Sequence, residues 1–112
     1  MRGLGRVLFP ALLAVALVCA TARVANADPR DFNFSNDSGH VVVHLYISPH
    51  GDPDWGSDVL GQSVLDPGDW TRIYFSGDVQ TCYYDLAVVD ENGNSYYEYG
   101  ENLCDDTGIT FK

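Results

Sequence analysis

Three aspartates in one short segment have the spacing that a metal-binding loop needs. Asp52, Asp54 and Asp58 lie within seven residues, in a stretch that also holds proline and glycine. Calcium takes six to eight oxygen ligands from carboxylates and backbone carbonyls, and short loops rich in Asp and Gly supply them. The segment lacks the residue order and the bidentate Glu of a helix–loop–helix site, so it would need further ligands such as Asp105 and Asp106. It therefore predicts either a calcium site or a solvated turn.

The same segment has a structural interpretation, which we prefer to a binding role. Trp55 would plug one end of the fold, and Gly56 and Gly61 would adopt positive φ. Asp58 would accept hydrogen bonds from backbone amides of the loop. On this interpretation the segment belongs to the fold rather than to a ligand site.

Tyrosines recur on two segments that the turn signal Asn92-Gly93 predicts to be a hairpin. They are Tyr83 and Tyr84 on the first segment and Tyr96, Tyr97 and Tyr99 on the second. A strand face that carries aromatic rings beside carboxylates can stack a sugar or contact a partner protein. Because strand side chains alternate between faces, half of these rings must point to the core. Cross-strand packing is therefore the competing explanation for the tyrosines.

Catalytic chemistry finds little support in the sequence. The chain has no Gly-x-Ser-x-Gly, no His-Glu-x-x-His and no phosphate-binding glycine loop. His40 and His44 stand four residues apart, about 13 Å along a strand, which is too far for two ligands of one ion. We expect a non-enzymatic protein, and a small hydrolase that uses carboxylates is the weaker alternative.

The first 27 residues have the pattern of an export signal. Arg2 and Arg6 supply a positive start, and residues 7–20 are apolar apart from Pro10. This apolar run is too short for a stable membrane span. The small residues of Ala25-Asn26-Ala27 predict cleavage after Ala27, which leaves one domain, 28–112, secreted or periplasmic.

Loss of that signal makes the remaining chain strongly acidic. Three of the six basic residues lie in the signal and all sixteen acidic residues follow it, so residues 28–112 carry a formal charge of −13. Nucleic acid and anionic membranes are bound by basic surfaces, and we therefore expect neither as a partner. A cationic protein or a glycan fits this surface better, and no cofactor other than calcium is predicted.

The cysteine count predicts one disulfide. Cys19 lies in the signal, which leaves Cys82 and Cys104 as a pair in an oxidising compartment. The alternative role of Cys19 as a lipid-modified residue is disfavoured because bulky Val18 precedes it. A disulfide would matter in a domain with so small a core.

Alternating and β-branched segments predict an all-β fold. The predicted strands are residues 31–35, 40–48, 70–76, 82–90, 95–99 and 109–111. Turn residues 36–39 predict a hairpin between the first two strands. We expect a small antiparallel β-sandwich, immunoglobulin-like or jelly-roll-like, or a small barrel.

The strand patterns also predict which side chains share a face. In strand 40–48 one face would carry Val41, Val43, Leu45 and Ile47, and the other would carry Val42, His44 and Tyr46. Asp85 falls in the middle of strand 82–90, on the face opposite Leu86. It would be exposed, or it would accept a hydrogen bond from Arg72 or from a tyrosine hydroxyl.

Motifs over nearly all of residues 31–111 carry a resemblance to a known group. They are Phe32-Asn33-Phe34, Ser38-Gly39, Leu45-Tyr46-Ile47-Ser48-Pro49, Trp55-Gly56-Ser57-Asp58-Val59-Leu60-Gly61, Cys82-Tyr83-Tyr84-Asp85-Leu86, Asp90 to Gly93, Asn102-Leu103-Cys104, and Ile109 with Phe111. With these the chain resembles an uncharacterised family of small exported bacterial β-proteins. Some members carry an argininosuccinate lyase label. That enzyme class is a large helical tetramer, which about 85 strand-forming residues do not build.

Overall fold

Residues 27–112 are the part of the chain that the structure, a computed structural model, describes. The predicted signal segment lies outside these residues, except for Ala27. The strands are β1 (Phe32–Asn36), β2 (Val42–Pro49), β3 (Trp70–Ile73), β4 (Tyr83–Asp90), β5 (Ser95–Asn102) and β6 (Gly108–Phe111). Within this part no helix is long and apolar enough to cross a membrane.

The strands form two three-stranded sheets. The first has the order β3–β1–β6 and the second the order β2–β4–β5. All neighbours pair antiparallel except β1 and β6, which are parallel. The predicted all-β sandwich is confirmed, with this one parallel pair as a departure from a purely antiparallel pattern.

The core lies between the two sheets. Phe32, Phe34 and Ile73 come from the first sheet, and Leu45, Tyr84, Leu86 and Val88 come from the second. Val42, Leu65 and Leu103 complete the buried cluster. Each sheet is too small to bury its apolar face alone, so the two faces must cover one another.

The predicted hairpin between the first two strands is wrong, because β1 and β2 belong to different sheets. The chain crosses between the sheets after Asn36, which is fully buried. Its amide donates to the carbonyl oxygens of His40 at 2.7 Å and Leu65 at 2.9 Å. A hairpin would set the apolar faces of β1 and β2 side by side, whereas the crossing turns them toward each other across the core.

The predicted alternation of β2 is wrong at its start. The pairing of β2 with β4 shifts register between Val42 and His44, which marks a β-bulge. The extra residue turns both Val42 and Leu45 into the core. Val42 therefore lies on the inner face and not on the face of His44.

Two strand ends also differ from prediction. Strand β3 stops at Ile73, and the amide of Phe75 then donates to Asp31 Oδ1 at 2.8 Å instead of to a neighbouring strand. Strand β5 continues past Tyr99 because a second bulge, with Gly100 at a φ of +71°, keeps its pairing with β4.

The predicted disulfide is confirmed. Cys82 and Cys104 are bonded with their Cα atoms 5.3 Å apart, and the amide of Leu103 donates to the carbonyl of Cys82 at 2.8 Å. The bond joins the open end of the β4–β5 hairpin, opposite its turn. Closing a loop of this length stabilises a fold by about 3 kcal/mol on the chain-entropy account.

A buried arginine secures the first described residues. Arg30 is almost fully buried and pairs with Asp28 at 2.8 Å, and it also donates to the Tyr84 hydroxyl at 3.0 Å. Hydrogen bonds from Arg30 hold the pKa of Asp28 down at about 2. These contacts tie Asp28 and Arg30 to β4 of the second sheet.

Candidate functional site: an aromatic outer face and an acidic cleft

The second sheet has an outer face, which we define as its side turned away from the core. Tyr46, Ala87 and Tyr97 lie in register across β2, β4 and β5. Leu86 and Val88 point into the core, so alternation places Ala87 and its two neighbours on the opposite side. Ala87 is buried although it is outside the core cluster, because larger side chains surround it.

Three aromatic rings form a row on this outer face. The Trp55 and Tyr97 rings stack with centroids 6.0 Å apart, and Tyr97 stacks on Tyr99 at 5.9 Å with an interplanar angle of 10°. Tyr97 and Tyr99 are 52% and 61% exposed. The sequence predicted that Trp55 would plug one end of the sandwich, and the structure does not place it there. It instead lies against the hairpin, and the aromatic row is Trp55, Tyr97 and Tyr99.

A buried carboxylate in β4 binds the segments of the chain that border the outer face. Asp85 is 5% exposed and accepts hydrogen bonds from the amides of Gly100 at 2.8 Å and Gly51 at 3.2 Å. His50 Nδ1 lies 2.7 Å from Asp85 Oδ1. Arg72, one of its predicted partners, instead donates to Asn33. Burial acts to raise the pKa of Asp85, but the bonds from His50, Gly100 and Gly51 outweigh it and hold that pKa below its ordinary value.

A second carboxylate attaches the 50–61 loop to the free edge of β2. Asp58 Oδ1 accepts from the amides of Leu45 at 3.0 Å and Leu60 at 2.9 Å, and Val59 donates back to the Leu45 carbonyl at 2.8 Å. His44 Nδ1 lies 2.7 Å from Asp58 Oδ2. These bonds overcome the opposing effect of burial and lower the pKa of Asp58.

His44 and His50 each have Nδ1 within hydrogen-bonding distance of an aspartate. A carboxylate only accepts hydrogen bonds, so Nδ1 of His44 and of His50 carries the proton and donates it. In the neutral ring, Nε2 is then the acceptor left for another molecule. Both side chains are about half exposed.

The structure does not assemble the predicted calcium ligands. Asp58 is occupied by amide and imidazole donors, and Asp52 Oδ1 accepts from the Asp54 amide at 3.0 Å. Asp105 accepts from Asn102, and Asp106 lines a separate cleft. Among residues 27–112 no group of three or more His, Cys, Asp or Glu side chains is placed to hold a metal ion.

The other predicted site residues are two glycines of the loop and two tyrosines of the hairpin, and the two tyrosines do not lie together. Gly56 and Gly61 adopt positive φ, at +78° and +63°. Tyr96 points inward, where its ring lies 5.0 Å from that of Phe111 and its hydroxyl donates to Asp90. That bond to a carboxylate raises the pKa of Tyr96. Tyr83 is exposed at the other end of the hairpin, opposite Asn102, so the predicted tyrosine set does not form one surface.

A cleft of about 490 Å³ opens between β5 and β6, at one side of the sandwich. Its apolar part is lined by Phe34, Leu86, Val88, Ile109 and Phe111. Its polar part carries three carboxyl groups, Glu98, Glu101 and Asp106, together with Lys112. We call this feature the acidic cleft.

Glu101 in the acidic cleft binds a proton near neutral pH. A hydrogen bond with Asp106 raises the pKa of Glu101 to about 7, and burial and the charges of Asp106 and Glu98 add to the effect. Two adjacent carboxylates in a partly buried site repel each other, so one retains its proton.

Sequence reasoning missed the roles of His50 and of the acidic cleft. Asp85 in the middle of a strand indicated that donors must surround it, but nothing in the pattern indicated His50. Glu98 and Glu101 stand three residues apart, which places them on opposite faces of a regular strand. Gly100 between them was the one signal for the bulge that brings both to the inner side.

Comparisons with protein-family models, with curated proteins and with solved structures found no match. The functional argument therefore rests on the chemistry of the outer face and the acidic cleft.

Calcium is expected to have no specific effect on stability. Binding at Asp58 would require its carboxylate to give up amide and imidazole donors. We expect millimolar CaCl₂ and millimolar MgCl₂ to shift the midpoint of thermal unfolding of residues 28–112 equally, because both only screen the net charge. A calcium shift that magnesium does not reproduce, and that Asp52→Asn with Asp54→Asn removes, would restore the calcium hypothesis.

Stability is expected to fall between pH 5 and pH 8 because of Glu101. Its folded pKa of about 7 exceeds the ordinary 4.5, so the folded state binds this proton more tightly than the unfolded chain does. The resulting stabilisation is complete below about pH 4.5 and is lost as the pH rises through 7. Asp58 and Asp85, with lowered pKa values, are ionised throughout this range and contribute no slope.

Urea unfolding of the wild type and of Glu101→Gln tests this assignment. The free energy of unfolding should decrease from pH 5 to pH 8 in the wild type, and the decrease should be smaller in Glu101→Gln because the contribution of Glu101 is removed. Asp78→Asn removes one charge at an exposed position away from the cleft and controls for general repulsion. If Asp78→Asn flattens the profile as much as Glu101→Gln does, net charge and not Glu101 causes the slope.

Proposed function

We propose that this chain is an exported, non-enzymatic binding module that holds a glycan on the outer face of its second sheet. The observation that carries the proposal is the aromatic row, three stacked rings of which two are more than half exposed. Exposed rings on a rigid sheet present flat apolar surface at little cost in side-chain entropy. Apolar C–H faces of sugar rings stack on such a surface.

Polar groups beside the row suit a sugar. The His50 ring lies beside Gly100, and both residues contact Asp85 Oδ1. Gly100 directly follows Tyr99 in β5. Asp85 holds the Nδ1 proton of His50, whose side chain is more than half exposed, so Nε2 of the neutral ring can accept from a sugar hydroxyl. The sheet and the carboxylates of Asp85 and Asp58 position these groups before any ligand binds, which lowers the entropic cost of binding.

The net charge narrows the class of glycan. With a formal charge of −13 over residues 28–112, the protein repels polyanions such as uronic-acid or sulfated chains. We therefore expect the ligand to be a polysaccharide of neutral sugars or of amino sugars.

Export fits the same picture. The buried Asp28–Arg30 pair begins directly after the predicted cleavage at Ala27, so cleavage there would leave the fold complete. The Cys82–Cys104 bond is of the kind that persists in oxidising compartments. Both observations support a secreted or periplasmic module that meets polysaccharides outside the cytoplasm.

Depletion binding to insoluble cellulose, chitin and a β-1,3-glucan tests the proposal. We expect at least one of these to retain residues 28–112, and we expect Tyr99→Ala to weaken retention about tenfold through loss of a stacking partner. Tyr97→Ala should do at least the same, since it also removes the contact with Trp55.

Tyr74→Ala is the matched control. Tyr74 is 76% exposed and follows β3 of the other sheet, so its removal should leave retention unchanged. The proposal is wrong if none of the three polysaccharides retains the wild type, or if Tyr74→Ala and Tyr99→Ala reduce retention equally.

A further inference from the structure

We propose that the acidic cleft is a second binding site, which takes an extended cationic peptide segment with alternating basic and apolar residues. This proposal rests on the cleft alone and is independent of the glycan proposal. Its three supports are the shape and lining of the cleft, its charge, and the two strand edges that border it.

The lining of the cleft is divided between apolar and acidic groups. Phe34, Leu86 and Val88 reach it from the inner strands of both sheets, and Ile109 and Phe111 reach it from β6. Of these, Phe34, Leu86 and Val88 belong to the buried core and form the floor of the cleft, while the partly buried Ile109 and Phe111 give it accessible apolar surface. A site of this kind favours a ligand that brings apolar side chains of its own.

The charge of the cleft selects the sign of the ligand. Glu98, Glu101 and Asp106 all line it, so three carboxyl groups lie close together in a partly apolar cleft. Lys112 also lines the cleft but makes no salt bridge with another residue of the 27–112 region. A cation from outside would be paired with carboxylates that now repel one another, which stabilises their ionised form.

The strands that border the cleft favour an extended ligand. Among residues 27–112, β5 and β6 are edge strands of different sheets, so within this region each has one side with no neighbouring strand in its sheet. Such edges carry free N–H and C=O groups that pair with an added strand. A peptide in strand conformation points alternate side chains to opposite sides, so its apolar residues can meet the core side while basic residues meet the carboxyl groups.

Fluorescence anisotropy with short labelled peptides tests this proposal on residues 28–112 with the disulfide intact. The probes are an octapeptide of alternating lysine and valine, one of lysine and serine, and one of glutamate and valine. We expect the lysine–valine peptide to bind, the lysine–serine peptide to bind at least tenfold more weakly, and the glutamate–valine peptide not to bind. Equal binding of the two lysine peptides would show that the apolar lining is not used and would overturn the proposal.

Matched charge variants separate the cleft from the overall charge. Glu101→Gln with Asp106→Asn removes two carboxylates from the cleft, and Asp52→Asn with Asp78→Asn removes two exposed ones elsewhere. We expect the first pair to weaken lysine–valine binding at least tenfold and the second pair to change it less than twofold. Equal weakening by both pairs would mean nonspecific attraction to an acidic protein and would overturn the proposal.

Proton release on peptide binding distinguishes an ion pair at Glu101 from a purely structural role of this residue. Since the pKa of Glu101 is about 7, pairing with lysine at pH 7 should release roughly half a proton. Calorimetry in phosphate and in Tris buffer measures this release from the difference in apparent binding enthalpy, and Glu101→Gln should abolish it. Binding without release would contradict an ion pair at Glu101.

The outcomes distinguish the two proposed sites. Tyr97 lines the cleft and also belongs to the aromatic row, so it does not discriminate between them. Tyr99 belongs only to the row, and Tyr99→Ala should leave peptide binding unchanged while it weakens retention by polysaccharide. Glu101→Gln with Asp106→Asn should have the opposite pattern.

Discussion

The carboxylate of Asp85 is the interaction on which the outer face depends. It lies buried in the middle of β4 and accepts hydrogen bonds from three donors that belong to other parts of the chain. His50 and Gly51 fix the start of the 50–61 loop, from which Trp55 reaches the hairpin. Gly100 fixes the bulge of β5 directly after Tyr99. One buried acceptor thus sets the positions of an imidazole and of both ends of the aromatic row.

Asp58 likewise joins separate segments of the chain, at the outer edge of β2. It binds two amides of different segments and one imidazole, so the 50–61 loop is held at both ends by carboxylates. Burying a carboxylate is costly unless donors surround it, and here the donors come from the very segments that must be joined. Part of the acidity of this chain is therefore structural, while the carboxyl groups of the acidic cleft repel one another and are open to solvent.

The strands and the disulfide could be predicted from sequence because they follow from local patterns. Alternation in β1 reflects burial of one face, and Cys82 and Cys104 are the two cysteines that remain after the predicted signal. The sheet to which β1 and β2 belong could not be predicted, since residues 36–39 favour a turn without specifying whether the chain stays in one sheet. The bulges reversed side-chain directions that simple alternation assigns.

The candidate site was predictable only in part for the same reason. Tyr97 and Tyr99 are two residues apart, and alternation alone places them on one face. Trp55 joins them, and His50 joins Asp85, through contacts between residues 35 or more positions apart in the chain. Such pairings depend on how a loop folds back over a sheet. The conformation of that loop cannot be predicted from residue types or from their spacing. The acidic cleft depends in turn on one glycine that shifts the register of β5.

The nuclear Overhauser contact between the Trp55 indole and the Tyr97 ring tests the central claim most directly. Wild-type residues 28–112 should show it, and Asp85→Asn should weaken or remove it, because an amide group would then face donors. The methyl shifts of Leu86 and Val88 should stay in place in that variant. Asp90→Asn is the control, since Asp90 is an equally buried carboxylate at the other end of the hairpin and should leave the contact intact. Absence of the contact in the wild type, or its full retention in Asp85→Asn, would contradict the account.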